Sequence, residues 1–281
     1  MARAAREASA RSLLVTVWGD TVRPRGRDVA ASTLVRLMAP LRVSPRAVRA
    51  ALSRMTRRGW LTRHRTGRRA FYALTPAGAL RVEQGVRRVY RTAPEPWDGR
   101  WRLLTYVIPE ARRAIRDRLR RELAWLGLAP LSRSTWVTTR DLGDVLGEMS
   151  GARGLDGAVA LFDARNLGPA EDRALAARCW DLEAIAARYR AFLARTRPHA
   201  KALRRRLRAG TLSDEACFAE KILLVHEYRK FLFVDPGLPA ALLPARRPDR
   251  EAAALFRHTY AALSPRADRF AARVIGRDGA R

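Results

Sequence analysis

The apolar positions of the N-terminal third recur with a helical period in three successive stretches. Leu13, Leu14, Val17 and Trp18 share one face of a segment from Ala8 to Val22, which Gly19-Asp20 and then Pro24 and Gly26 bring to a close. Leu34, Leu37 and Met38 predict a second helix from about Ala30 to Leu41. A third begins sharply at Ser44-Pro45, a hydroxyl suited to cap free backbone N–H groups followed by a proline whose fixed φ suits the first helical position. It continues through Val48, Leu52 and Met55 to Arg58-Gly59. Two short runs rich in aromatic and apolar residues follow, Trp60 to His64 and Arg69 to Leu74, with turn residues at Thr66-Gly67 between them, and predict a β-hairpin. Thr75-Pro76 opens another helix, to about Arg91. Three helices and a two-stranded wing predict a winged helix-turn-helix over residues 8–92.

The pattern changes after a linker at residues 93–100 that contains Pro94 and Pro96. Trp101 to Ile108 reads as a buried strand, and Glu110 to Leu126 as an amphipathic helix with Ile115, Leu119, Leu123 and Leu126 on one face. Ser134 to Thr139 and Ala158 to Asp163 read as further strands, with a helix over Leu142 to Met149 between them. This alternation predicts a small ferredoxin-like sandwich over residues 101–168. Residues 169–275 show only helical periodicity, in segments near 170–178, 181–196, 199–209, 213–234 and 249–263. The expected fold class is therefore α+β and multidomain, ending in an all-α domain.

Charge adds a partner to this picture. The chain of 281 residues carries 56 Lys+Arg against 27 Asp+Glu, a formal +29, which suits a polyanion such as nucleic acid. Only Lys201, Lys221 and Lys230 are lysines, a bias that a GC-rich coding sequence would also produce, so position weighs more than the total. Residues 1–92 hold 21 arginines and only Glu7, Asp20, Asp28 and Glu83 as acids, concentrating the positive field at the N-terminal end. No window approaches the ~18 apolar residues of a membrane span, and the N-terminus has no signal-peptide core. The expectation is a cytoplasmic protein with no membrane partner. Cys179 and Cys217 are too few for a disulfide framework or a cysteine zinc site and read as buried apolar side chains.

With Val48, Leu52 and Met55 facing inward, the third helix presents Arg46, Arg49, Ser53 and Arg57 on its other side, behind the Ser44 cap. Arginine binds guanine edges bidentately and also holds phosphates. Arg65, Arg68 and Arg69 make the wing tip cationic. These eight residues are the predicted DNA-binding set. Catalytic constellations are missing: His64, His199, His226 and His258 are far apart, none in H-E-x-x-H, and no P-loop, G-x-G-x-x-G or G-x-S-x-G occurs. The expectation is a non-enzyme without metal or cofactor. Towards the C-terminus, His226 and Arg229 precede a rigid Asp235-Pro236 turn, and a cleft there that admits an anionic small molecule stands beside the plainer reading of a turn that ends a helix. Trp180, Tyr189 and Phe192 either line that cleft or pack a helix core.

The chain resembles the PaaX family of phenylacetic acid catabolism repressors. The resemblance rests on Val17-Trp18-Gly19-Asp20, the Pro24-Arg25-Gly26 turn, Ser44 to Met55 with Arg58-Gly59-Trp60-Leu61, and Gly67 to Gly78. It continues in Trp97-Asp98-Gly99-Arg100-Trp101 and Asp235-Pro236-Gly237-Leu238-Pro239. It implies a homodimeric repressor with a middle dimerisation domain and a C-terminal candidate effector domain, released from double-stranded operator DNA by an acyl-CoA such as phenylacetyl-CoA. The middle unit also resembles small ferredoxin-like CRISPR-associated nucleases through Tyr106-Val107-Ile108-Pro109, with Val107 where those enzymes hold an aspartate. Loss of that carboxylate argues for the fold without the nuclease activity. A nucleic-acid-processing enzyme and a ligand-independent architectural DNA-binding protein stand as the alternatives.

Overall fold

The structure, a computed structural model, describes residues 9–25, 28–90, 96–142 and 157–279. The predicted helix over 142–149 lies almost wholly outside these residues, as does Gly26 of the predicted turn. Helix α1 (Ala10–Val17) is capped by Ser9, whose hydroxyl accepts from the Ser12 amide at 3.2 Å. Its last predicted turn widens into a π-helical one, Trp18–Val22, which sets Gly19 against Val82 and Val86 and buries Asp20. Strand β1 (Val29–Ala30), which the sequence did not announce, leads into α2 (Ala31–Met38) and a 3-10 turn, Ala39–Leu41. Helix α3 (Pro45–Arg57), strands β2 (Leu61–Thr66) and β3 (Arg69–Leu74) and helix α4 (Pro76–Val89) follow. The three strands form an antiparallel sheet of order β1-β3-β2.

Gly78, in the first turn of α4, is a point of close approach. A Cβ there would stand 2.3 Å from the Trp60 carbonyl oxygen, a backbone atom that cannot swing aside. Gly78→Ala is therefore expected to destabilise by about 1 to 3 kcal/mol, as overpacking does, measured as a fall in the urea midpoint. Ala79→Gly next to it, at an exposed position, is the control for helix propensity alone.

The next elements are β4 (Trp101–Tyr106), α5 (Arg113–Leu126), β5 (Ala129–Pro130), β6 (Thr135–Thr138), β7 (Val159–Ala164) and α6 (Asp172–Cys179). The four strands pair antiparallel in the order β5-β6-β4-β7. Leu119, Leu123 and Leu126 of α5 cover one face through Leu104, Tyr106 and Trp136. The other face packs Trp101, Ala129 and Val137 against Ala176, Trp180, Leu238 and Leu242, with the Trp101 indole donating to Asp172 at 2.7 Å. The predicted strand end at Ile108 moves back to Tyr106, and Val107 is 83% exposed rather than buried.

Three long helices complete the chain: α7 (Leu182–Arg208), α8 (Asp214–Tyr228) and α9 (Pro248–Gly279). Sequence reading breaks α7 at Pro198 and stops α9 before Pro265, because an internal proline forfeits a backbone hydrogen bond. Both helices run through. Phe192, Leu193, Ala200 and Leu203 continue one buried face across Pro198, and Leu263, Ala267, Ala271 and Val274 do so across Pro265. Packing of that face outweighs the single lost bond. Cys217 is fully buried on α8, whereas Cys179 at the end of α6 is only half-buried.

The chain divides into two compact units, one of Met1–Tyr90, Arg190–Lys230 and Asp249–Arg281, the other of Arg91–Tyr189 and Phe231–Pro248. In the first, a single core joins Leu13, Leu14, Leu37 and Leu52 to Leu203, Phe218, Ile222 and Leu263. The N-terminal helices thus share their interior with helices more than 150 positions away in the sequence.

Candidate nucleic-acid interface

Ser44 caps α3 by accepting from the Ala47 amide at 3.2 Å, with Pro45 in the first turn. Val48, Ala51, Leu52 and Met55 are buried beneath the helix. Arg46, Arg49, Ser53 and Arg57 are exposed on its outer side, as is Ser44 at its start. At the far end the Trp60 amide donates to the Met55 carbonyl at 3.0 Å and hands the chain to β2. Thr75 then fixes the return: its hydroxyl donates to the Gly59 carbonyl at 2.7 Å and accepts from the Gly78 amide at 3.0 Å, capping α4. One side chain thereby pins the end of α3, the hairpin and the next helix together.

Thr66 pairs with Arg69, so Gly67 and Arg68 alone form the hairpin loop. Gly67 has φ 58°, and no positive φ occurs at Arg68, the pattern of a type II′ turn that needs glycine first. Arg65, Arg68 and Arg69 are exposed around this tip. Among the described residues, none of Arg46, Arg49, Arg57, Arg65, Arg68 and Arg69 forms an ion pair, so their charge faces solvent. Six unpaired guanidinium groups on a capped helix and an adjoining hairpin tip can bind a polyanion without first breaking internal bonds.

The same compact unit holds a buried polar cluster that sequence reasoning missed. The Asp20 side chain, wholly buried in the π turn after α1, accepts at Oδ1 from Tyr90 (2.6 Å) and Tyr260 (2.8 Å) and at Oδ2 from Thr21 (3.1 Å). Lys221 Nζ of α8 stands 3.2 Å from Oδ2 and 3.1 Å from Asp268 Oδ1, over the Tyr260 ring. Burial by itself lowers the lysine pKa, but Asp20, Tyr260 and Asp268 outweigh it and the net shift is upward. Burial and the Asp20 charge push the Tyr90 hydroxyl the same way. The cluster draws on residues more than 200 positions apart, so no local motif announces it.

The two predicted effector residues lie on the same side of α1. His226 is buried, its Nδ1 3.2 Å from Thr16 Oγ1. The Thr16 hydroxyl already donates to the Ser12 carbonyl, so its oxygen accepts and Nδ1 carries the proton. Burial, with Arg229 and Lys230 nearby, lowers the His226 pKa to about 3. Arg229 Nη2 donates to the Ser12 carbonyl (2.9 Å) and hydroxyl (2.5 Å), while burial and Arg11 lower its pKa to about 10. Both side chains therefore hold α1 against the end of α8. Of the three aromatic residues read beside them, Trp180 stacks on Trp101 and Tyr189 stacks on Phe231 and donates to Asp235 at 2.5 Å, all in the second unit. Phe192 belongs to the first unit, against Tyr228. Asp235 also accepts from the Gly237 amide at 2.7 Å and shapes the turn itself.

The chain is 32% identical to the Transcriptional repressor PaaX of Escherichia coli (strain K12) over 263 residues, covering 92% of this chain and 82% of that protein. The chain belongs to the PaaX family. The PaaX-like protein family matches residues 9–78, the PaaX protein central Cas2-like domain residues 94–176, and the PaaX-like protein C-terminal domain residues 180–273. The fold is similar to that of an uncharacterized protein of Mycobacterium tuberculosis, Rv0674, with a TM-score of 0.54 and 23% identity over 92% of this chain and 97% of that one. Among the described residues of this PaaX-family chain, no helix is long and apolar enough to cross a membrane.

Proposed function

We propose that this PaaX-family protein is a transcriptional repressor that reads double-stranded operator DNA with α3, supported by the β2–β3 hairpin as a wing. One observation carries the reading: the unpaired, exposed arginines of α3 and the hairpin tip lie on elements whose opposite sides are locked into a core. Helices α1 to α3 and the hairpin fit a winged helix-turn-helix, and α3 is the element of the right size for the major groove. Arg46, Arg49, Ser53 and Arg57 are the readers in this proposal, with Ser44, Arg65, Arg68 and Arg69 on the phosphates. The similarity to the E. coli transcriptional repressor PaaX supports the same non-enzymatic role. A cytoplasmic location goes with this proposed role.

The middle strands support a ferredoxin-like sandwich: β5-β6-β4-β7, renumbered within the unit, is the 2-3-1-4 antiparallel order of that fold. β7 is an edge strand that exposes Leu161 and Phe162. An apolar edge of this kind favours pairing with a second copy and supports a homodimer whose two α3 helices meet successive major grooves. For the effector, we keep an acyl-CoA such as phenylacetyl-CoA. Arg229 supports this, because its buried Nε has no hydrogen-bond partner among the described residues while its Nη2 holds α1. A ligand anion that draws this guanidinium away, with His226, loosens α1 and with it the seat of α3.

The test is fluorescence anisotropy at about physiological salt, with duplex DNA from upstream of the chain's own gene against a scrambled duplex, with and without phenylacetyl-CoA. Preference for the upstream duplex, abolished by the thioester, is the expected result. Arg49→Ala is expected to weaken that binding about 10- to 100-fold, the worth of one bidentate base contact, with an unchanged melting temperature because the side chain is exposed. Equal affinity for both duplexes rules the repressor reading out and favours an architectural role.

A further inference from the structure

A second cationic surface lies in the same compact unit as α3. From Ala184 to Ser213 the chain contains no Asp or Glu, yet it holds eight arginines and Lys201. The end of α7 carries the densest part, Arg204-Arg205-Arg206-Leu207-Arg208. At 100° per residue, Lys201, Arg204, Arg205 and Arg208 fall on one stripe, while Leu203 and Leu207 point the other way. The structure bears this geometry out. Those four basic residues are exposed, and Leu203 and Leu207 pack into the core that also holds α1, α2 and α3.

Part of the arginine excess elsewhere is neutralised locally, although Arg120 and Arg121 of α5 and Arg257 of α9 are also exposed without an ion pair among the described residues; the stripe differs in gathering its unpaired cations on one face of two helical turns. On α5, Arg113, Arg116 and Arg118 are matched by Asp117, Glu110 and Glu122. On α9, Arg269 and Arg273 share Asp214. Among the described residues, Lys201, Arg204, Arg205 and Arg208 have no ion pair. Four like charges crowded on two turns of helix repel one another, which is a cost unless an anion occupies the surface. The stripe is also fixed relative to α3. Helix α8, joined to α7 by residues 209–213, packs against α1 and against the 3-10 turn 39–41 that leads into α3.

We propose that the Lys201-Arg204-Arg205-Arg208 stripe of α7 is an ancillary DNA-backbone contact, which extends the footprint of the reading head along the duplex without reading sequence. The proposal rests on the repressor reading above. From Lys201 to Arg208 the stripe runs about 10 Å at 1.5 Å per residue. DNA offers a phosphate about every 3.4 Å of axis on each strand, so about three are in reach. Exposed arginines without partners suit phosphate oxygens, which need charge and donors but no particular base. An acidic protein would be the competing occupant, but the stripe belongs to the same compact unit and shares the same core as α3, whose proposed ligand is itself a polyanion.

The experiment is a salt series from 50 to 300 mM KCl by fluorescence anisotropy, on the upstream duplex and the scrambled duplex. It compares wild type, Arg204→Gln/Arg205→Gln/Arg208→Gln and Arg204→Lys/Arg205→Lys/Arg208→Lys. Each phosphate contact contributes about 0.9 to the slope of log K against log salt. The glutamine variant is expected to lose about 2 to 3 units of slope per protomer and to weaken equally on both duplexes, with the preference ratio kept. The lysine variant, which keeps the charges, is expected to retain the slope. An unchanged slope in the glutamine variant overturns the ancillary contact while a persisting preference leaves the repressor reading intact. A slope lost equally in the lysine variant also overturns it, because charge is then not the cause. If wild type shows no preference but the glutamine variant still loses slope, the stripe stands and the repressor reading falls.

Discussion

Lys221→Met is expected to lower the stability of the first unit by about 3 to 5 kcal/mol, the loss that follows when one partner of a buried ion pair is removed. The Asp20 carboxylate would remain wholly buried, with three hydroxyl donors but no cation within reach. Desolvating a charge costs several kcal/mol, and hydroxyl donors offset only part of that. Asp20→Asn combined with Lys221→Met removes both charges at once and is expected to be markedly less damaging than the two single losses added together. Urea unfolding of the four members of this double-mutant cycle gives the coupling directly. A Lys221→Met midpoint within experimental error of wild type would show that the cluster does not hold the N-terminal helices to α8 and α9.

Acid should destabilise the protein through His226. Its folded-state pKa is depressed to about 3 from an ordinary 6.5, chiefly by burial and then by Arg229 and Lys230. Between those two values the unfolded chain binds a proton that the folded one refuses, so stability falls as pH falls. The contribution is fully present above 6.5 and is lost as the pH drops towards 3. Its slope approaches about 1.4 kcal/mol per pH unit, giving a loss of about 2 kcal/mol between pH 7 and pH 5. His226→Gln, which keeps a donor near Thr16 but cannot ionise, is expected to lack this component. Urea midpoints at the two pH values decide the matter: an equal acid loss in variant and wild type would place the sensitivity elsewhere.

The candidate interface was largely legible along the chain. Ser44-Pro45 announces the start of α3, the spacing of Val48, Leu52 and Met55 gives its buried side, and the arginines opposite then have nowhere to go but solvent. These are local rules acting over one or two turns. The acid-free run from Ala184 to Ser213 is equally local, but its charge is small beside the excess carried by residues 1–92. Pro198 and Pro265 misled for a definite reason: a proline rule describes one lost hydrogen bond, whereas each helix continues because a whole buried face continues.

The sequence by itself determined the helix starts, the hairpin turn, the two chemically different sides of α3 and the positive field, because each depends on residues within a few positions of one another. Only the tertiary structure decided what stands behind them. Asp20 meets Tyr90, Lys221 and Tyr260, and His226 and Arg229 meet Thr16 and Ser12 across more than 200 positions. Such pairings are set by which buried faces pack together, and a buried charge finds its partner only once that packing has excluded water.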